Sequence, residues 1–314
     1  MQISRLGPQE LAAIHRLLQP ALRFDRFSID LLHEKLFENP RPGIDEYALW
    51  GTYDGEQLTG VMQSVTRPRD GRAWLGLFAV TERERRRGVG GALFARLLES
   101  WRAAAIHEAE VLAIPGNYFT PGLDPRYTAA LCFVERIGFQ RFKDCVNLIA
   151  DLQSRHADPL DTLADEQRLE SEGITIRRAV ASPLVGGAAG DGALLDEFFN
   201  ANFGADWRLE AERARRLSTP GLHLAIAQGK IIGFAAHSGM NREWGFFGPM
   251  GTAPAAEGRG IGRVLLRRCL ADLRAAGHTL AVIPWVGPIG FYSRHVPCRV
   301  HRVFWRYRIS IKEG

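Results

Sequence analysis

The chain has 314 residues, 46% hydrophobic and 24% charged, which excludes a disordered, collagen-like or coiled-coil chain and predicts one large or two ordinary domains. Its net charge of +5 rests on 36 arginines against four lysines with no long basic block, so no nucleic-acid partner is expected. The longest apolar stretch, near Leu280–Tyr292, is broken by Pro284, Gly287, Pro288 and Gly290 and falls short of the ~20 residues of a membrane span.

The first ten residues carry a charge where an export signal needs an apolar run. Cys132, Cys145, Cys269 and Cys298 form no Cys-x-x-Cys pair. The expectation is a cytoplasmic chain with reduced thiols and no membrane partner. The sequence is compatible with a monomer and does not set the oligomeric state.

The chain opens on a short strand at Ile3–Arg5 and a helical pattern at Pro8–Leu18. Tyr47–Asp54 and Leu58–Val65 are apolar strands joined through Gly55, as in a hairpin. A strand over Trp74–Val80 runs into Arg85-Arg86-Arg87-Gly88-Val89-Gly90 and a helical run to Ala105. A strand within His107–Pro115, a loop over Gly116–Tyr127 and the segment Cys132–Phe139 follow. Gln153–Gly173 is polar, acidic and contains Pro159. Its composition predicts a linker over 153–173 between domains at 1–152 and 174–314, with a short exposed helix over Leu160–Leu169.

The second half repeats this order. Ile176–Arg178 is a strand, Ser182–Gly192 reads as a mobile loop, and Ala193–Asn200 is helical. Strands Leu222–Gln228 and Ile231–His237 flank Gly229. The segment from Trp244 leads to Glu257-Gly258-Arg259-Gly260-Ile261-Gly262, a helical run to Gly277 and a strand over Leu280–Trp285. Gly88 and Gly90 recur as Gly260 and Gly262, 172 residues on. The repeat is a domain duplication.

Each Gly loop joins a strand to a helix. Glycine lets the backbone bend sharply and approach a ligand closely, and the first N–H groups of the helix point at the loop with no internal partner. With the helix dipole they suit a pyrophosphate. A Walker loop needs Gly-Lys-Ser/Thr, which neither copy has. A dinucleotide fingerprint needs a third glycine where Leu93 and Leu265 stand. Glu108 lies near the distance of a ribose-binding acid, so that alternative is weakened rather than closed, and two plain connecting turns remain a further one.

Both halves resemble the GNAT acetyltransferase superfamily, whose signature is Val-x-Pro-x-x-Arg/Gln-x-x-Gly-x-Gly/Ala. The first half offers Val80 to Gly90, with Arg85, Gly88 and Gly90 in place and only the proline missing. The second offers Thr252 to Gly262, with Pro254 but with Glu257 where Arg or Gln is usual. The resemblance implies an α/β fold of two tandem domains, each a mixed, mostly antiparallel sheet flanked by helices, its fourth and fifth strands splayed apart.

It further implies acetyl-CoA as co-substrate and a small amine as acceptor, an amino sugar or a peptide-like metabolite. Pantetheine would pair with backbone at Phe78 and Val80, or at Met250 and Thr252. The pyrophosphate would sit on Arg85, Arg86, Arg87, Gly88, Val89 and Gly90, or on Glu257, Gly258, Arg259, Gly260, Ile261 and Gly262. Pro249 fits a bulge in the fourth strand of the second half.

The family often takes a proton donor for the departing thiolate from a Phe-Tyr pair. Phe291-Tyr292 supplies it in the second half, whereas the first half has Val134 in the Tyr place. The C-terminal half is therefore the expected catalyst, with Tyr292 as acid. Tyr118 or Tyr127 would have to replace the acid if the first half were active. Glu243 is the candidate base; a solvated turn carboxylate is its plainer reading, as core packing is for Tyr292. No His/Cys/Asp cluster has metal-ligand spacing, so no metal is expected. A CoA-sensing protein without chemistry is the alternative from another class.

Overall fold

The computed structural model describes residues 2–153, 160–181 and 190–312. Residues 182–189 of the expected mobile loop, and residues 154–159 of the expected linker, lie outside the described residues. No helix of the described chain is long and apolar enough to cross a membrane. The chain forms two compact units, residues 1–145 with 303–314, and residues 146–302.

In the first unit, β1 (Gln2–Arg5), β2 (Glu46–Asp54), β3 (Gln57–Arg67) and β4 (Arg72–Val80) pair antiparallel in that order. The β2–β3 turn uses Gly55 at φ 55°, a left-handed conformation that glycine adopts without a Cβ clash. Two helices precede β2. α1 (Leu11–Ala21) buries Ile14, Leu17 and Leu18, spaced as one helical face. α2 (Ile29–Phe37) starts at Ser28, whose Oγ accepts from Leu31 N at 3.0 Å, satisfying one of the free amides of a helix start. α3 (Val89–Ala103) follows β4, and β5 (Glu108–Val111) then pairs parallel to β4. α4 (Thr128–Arg136) leads into β6 (Gln140–Asp151).

In the second unit, β7 (Ile174–Arg178), β8 (Leu222–Ala227), β9 (Lys230–His237) and β10 (Phe247–Thr252) repeat the antiparallel series. α6 (Gly192–Asn202) and α7 (Ala205–Arg215) lie between β7 and β8, and α8 (Ile261–Ala275) follows β10. α8 buries Val264, Leu265, Leu266, Cys269, Leu270 and Leu273 in the unit's core. β11 (Leu280–Val286) is joined to β10 by a parallel bridge, Phe246 to Val282. α9 (Ile289–His295) and β12 (Cys298–Ser310) close the chain order.

The units do not follow a cut at 153–173. Residues 146–151 of β6 pair with β11, Leu280 opposite Asp151. Residues 308–310 of β12 pair with β5, Ser310 opposite Glu108. The last strand of each half therefore crosses to the other unit, and a polar stretch in the sequence carries no sign of that pairing. The helix within the expected linker is α5 (Leu163–Ser171). It is not a detached exposed segment: Leu169 is fully buried, and both Leu160 and Leu169 belong to the core of the second unit.

Candidate active sites on two open strand edges

β4 and β5 run together only from Arg72–Glu108 to Leu75–Val111. The last rung is Leu112 N donating to Leu75 O at 2.7 Å. Leu112 and Ala113 then take φ values of 58° and 56°, a left-handed step that turns the chain off the strand path. Residues 76–80 of β4 are left with no β5 partner.

The second unit separates its strands by another device. Val282 N donates to Gly245 O at 3.0 Å, so this residue of β11 faces β10. Alternation returns position 284 to the same edge, and Pro284 has no N–H to donate. That proline was legible in the sequence as a break in an apolar stretch, but its role at the strand edge requires the pairing register.

Strand parity identifies the backbone groups on the open edges. Thr81 N donates to Thr59 O at 2.8 Å, facing β3. Val80 and Phe78 therefore turn their N–H and C=O groups the other way, into the gap. Ala253 N donates to Ile232 O at 2.9 Å, and the same parity places Thr252 and Met250 on the second gap. In the first unit one of these groups is used internally, since Arg85 Nε donates to the Val80 carbonyl at 3.1 Å.

Both inner strands carry a bulge. The β10–β9 register shifts between Phe247 and Met250, across Gly248 and Pro249, and the Gly248–Pro249 peptide is cis. The β3–β4 register shifts opposite Gln63. Gln63 is buried; its Oε1 accepts from Leu77 N at 3.1 Å and its Nε2 donates to Lys35 O at 2.8 Å. A methyl group on Gly76 would overlap that Oε1. No motif in the sequence singles out Gln63, because its partners stand 14 and 28 residues away.

The Gly loops complete each gap. Gly88 caps α3 at φ 85° and Gly260 caps α8 at φ 81°. The first helical bonds are Ala92 N to Gly88 O and Val264 N to Gly260 O, so the preceding amides have no helical acceptor. Val89 and Ile261 pack inward as buried residues, while Arg85, Arg86 and Arg87 are exposed around the first loop. The second loop exposes Glu257, Gly258 and Arg259. Each loop faces a phenylalanine: a Cβ on Gly90 would lie 3.1 Å from the Phe133 ring, and one on Gly262 would lie 3.3 Å from Phe291. This matching contact makes Phe133 and Phe291 equivalent, and therefore Val134 and Tyr292.

Tyr292 is 8% exposed and meets Phe247 edge-on at 6.3 Å, where β10 begins. Burial pushes its hydroxyl up to about 12, so it stays protonated at neutral pH. Val134 is fully buried and has no proton to give. In the 116–127 loop, Tyr127 Oη donates to Asp25 Oδ2 at 2.5 Å and accepts from Phe24 N at 3.0 Å. That hydroxyl ties the loop to the α1–α2 connection. Glu243 does not begin β10: it lies on an exposed single turn, residues 242–244, ahead of the strand.

The fold also assembles a cluster that sequence spacing concealed. His223 on β8, His237 on β9 and Asp272 on α8 place one potential ligand atom each within 4.8 Å of one another. Asp272 Oδ2 meets His223 Nε2 at 2.7 Å and His237 Nε2 at 3.2 Å, and Arg178 Nη2 donates to Oδ1 at 2.8 Å. Contrary to the expectation from sequence spacing, the fold does bring together a His/His/Asp group. A guanidinium already balances the carboxylate, and the arrangement works as a hydrogen-bonded lock between sheet and helix. Hydrogen bonds from both imidazoles and Arg178 outweigh burial and hold Asp272 far below the usual carboxylate range. Burial is the largest influence on His223 and pulls it below its ordinary value.

A model of the acetyltransferase (GNAT) family matches residues 11–117 and again 193–295. No curated protein matches the sequence. Among solved structures, the glucosamine N-acetyltransferase region of a fungal multi-domain GH3 β-N-acetylglucosaminidase superposes with a TM-score of 0.77 at 18% identity, over 98% of this chain. This chain spans only 38% of that one. A GCN5-related N-acetyltransferase from Sphaerobacter thermophilus gives 0.68 at 19% identity, covering 100% of this chain and 96% of that one. A tandem GNAT protein from the clavulanic acid biosynthesis pathway gives 0.70 at 15% identity, covering 100% and 99%. With one family match in each half, each over a sheet opened between its fourth and fifth strands, the chain belongs to the acetyltransferase (GNAT) family and is a tandem-domain acyltransferase.

Proposed function

We propose that the protein is an acetyl-CoA-dependent N-acetyltransferase that moves an acetyl group directly to a small amine, an amino sugar or a peptide-like metabolite, and that the chemistry belongs to the second unit. The observation that carries this reading is the meeting of an open strand edge at Met250 and Thr252, a Gly loop at Gly258–Gly262 and a buried Tyr292 in one unit. Pantetheine amides pair with the open edge, and the pyrophosphate rests on the amides of the α8 start. The neutral amine attacks the thioester carbonyl carbon, backbone N–H donors on the bulged strand stabilise the charge on oxygen, and the carbon–sulfur bond breaks. Tyr292 donates a proton to the leaving thiolate, the proton lost by the acetylated nitrogen passes to solvent, and water restores the phenol. Glu243 lies on the exposed turn at residues 242–244, ahead of β10, and no step is assigned to it.

The first unit keeps a Gly loop and an open edge but has Val134 at the acid position, so it is assigned binding and support. The test is a thioester-consumption assay against a panel of amines, with mass spectrometry of the product. Acetylated product above background hydrolysis is expected. CoA binding without turnover across the panel would instead favour a sensing protein. Turnover that survives Tyr292→Phe but disappears in the Arg85→Ala, Val134→Ala double variant would reverse the assignment of the halves.

A further inference from the structure

We propose that Arg168, on the α5 helix outside both family-matched segments, is a pyrophosphate-binding residue of the second unit, supplying the cation that Glu257 fails to supply. The proposal rests on the reading of the second Gly loop as a CoA site. α5 lies along the start of α8 and is held there by a ladder of ion pairs. Asp165 pairs with Arg263, Glu166 with Arg268, and Glu172 with Arg259 at 2.8 Å. Thr162 Oγ1 donates to Glu166 Oε1 at 2.5 Å, fixing the first turn of the helix.

The ladder delivers one guanidinium to the loop itself. Arg168 Nη2 donates to the Arg259 carbonyl at 2.8 Å. It stands 3.0 Å from the position a Cβ on Gly260 would take, and Arg263 Nη2 stands 3.6 Å from the same point. Gly260 is the residue from which α8 starts, so both guanidinium groups flank the amides that have no helical acceptor. Arg168 makes one other side-chain bond, Nη1 to Glu172 Oε1 at 2.5 Å. A guanidinium carries five N–H donors, and with the side chain 43% exposed the remaining donors are open to an incoming anion.

Its bond to the loop carbonyl, together with the charge balance, points to Arg168. Arg259, the loop's own arginine, has the same carboxylate partner, Glu172, as Arg168. Arg263 and Arg268 are taken by α5 carboxylates. Glu257 is exposed on the loop with a charge of the wrong sign for a pyrophosphate. Arg168 shares Glu172 with Arg259, so two guanidinium groups face one carboxylate and a net positive charge remains beside Gly260. Planar N–H pairs match phosphate oxygens. In the first unit the loop carries Arg85, Arg86 and Arg87 itself, and no added helix is needed.

The test uses the full chain and titration calorimetry with CoA and with pantetheine, which lacks the pyrophosphate. Gly260→Val and, separately, Gly262→Val define the binding component that belongs to the second unit. Arg168→Gln keeps a good helix former at an exposed position, so folding is retained. It is expected to weaken that component for CoA about five- to tenfold, the range left after solvent screening of an exposed contact. Pantetheine binding should not change, Arg168→Lys should recover part of the loss, and the difference should narrow at 0.5 M salt, roughly where screening shortens charge interactions to a few ångströms. Unchanged or tighter CoA binding in Arg168→Gln, with the component still lost in the glycine variants, overturns the role of Arg168 alone and makes α5 a bystander or an obstruction. A component that survives both glycine variants overturns the underlying site.

Discussion

Gln63→Met tests how the first unit holds its open edge. The side chain is of similar size, but both polar contacts vanish. Leu77 N loses the Oε1 acceptor at 3.1 Å, and Lys35 O loses the Nε2 donor at 2.8 Å. Leu77 N has no ready substitute. Leu77 lies at the bulge, outside the regular β3–β4 register. Lys35 is in the last turn of α2, where helical carbonyls have no following amide. The residues involved are buried, so water does not replace the lost partners. An orphaned buried group costs about 1–3 kcal/mol, so the two lost bonds together predict a loss of up to about 6 kcal/mol. Urea unfolding of the full chain, followed by circular dichroism, gives the total; hydrogen exchange of the peptide spanning residues 72–80 localises it. Gly76→Ala should act in the same direction, because its methyl displaces the same amide, and the double variant should lose less than the sum of the two. A Gln63→Met protein within about 0.5 kcal/mol of the parent, with unaltered exchange at 72–80, would refute the idea that Gln63 sustains the bulge.

Gly260→Val with Gly262→Val should abolish CoA binding at the second unit, since a larger side chain at 262 meets Phe291 and one at 260 meets Arg168; unchanged calorimetric affinity there would sink the pyrophosphate assignment. Tyr292→Phe should slow the chemical step by about 10²–10⁴-fold with CoA affinity nearly intact, measured by single-turnover acetyl transfer. Acidification should destabilise the second unit. His223 has a folded value below its ordinary one, so its contribution is present above about pH 6.5 and declines as pH falls through that value. Asp272 has a depressed folded value, so its contribution is present above about pH 4 and is lost as pH falls below it. Asp272→Asn should remove the second dependence and lower stability at pH 7; a pH profile of unfolding identical to the parent's would contradict the lock.

Local order was legible in the sequence because it depends on near neighbours. The hairpin at Gly55, the strand–Gly–helix units and the proline in the β10 bulge all lie within a few residues of the features that reveal them. The equivalence of Val134 and Tyr292 was legible from the repeat, and the contacts of Phe133 and Phe291 on Gly90 and Gly262 give it a geometric basis. What stayed hidden joins distant residues. Gln63 meets the bulge across a hairpin, and Asp272 gathers His223, His237 and Arg178 from three strands. The acidic stretch around α5 looked like a linker because its carboxylates were read without the arginines they face. Composition records charge, but it does not record pairing.

The crossing of the last strands bears on how the polypeptide is made. Glu108 is paired with Ser310, roughly two hundred residues later, so the β5 edge has no neighbour on that side until β12 has left the ribosome. Closing so long a loop is slow, and an unpaired edge invites association with other chains meanwhile. The first half cannot finish before the second exists, although it is synthesised first. A nascent chain stalled anywhere near residue 173 carries β5 exposed and β6 without β11. Fragments cut at the polar stretch should therefore aggregate when expressed apart and recover only when both pieces are present together.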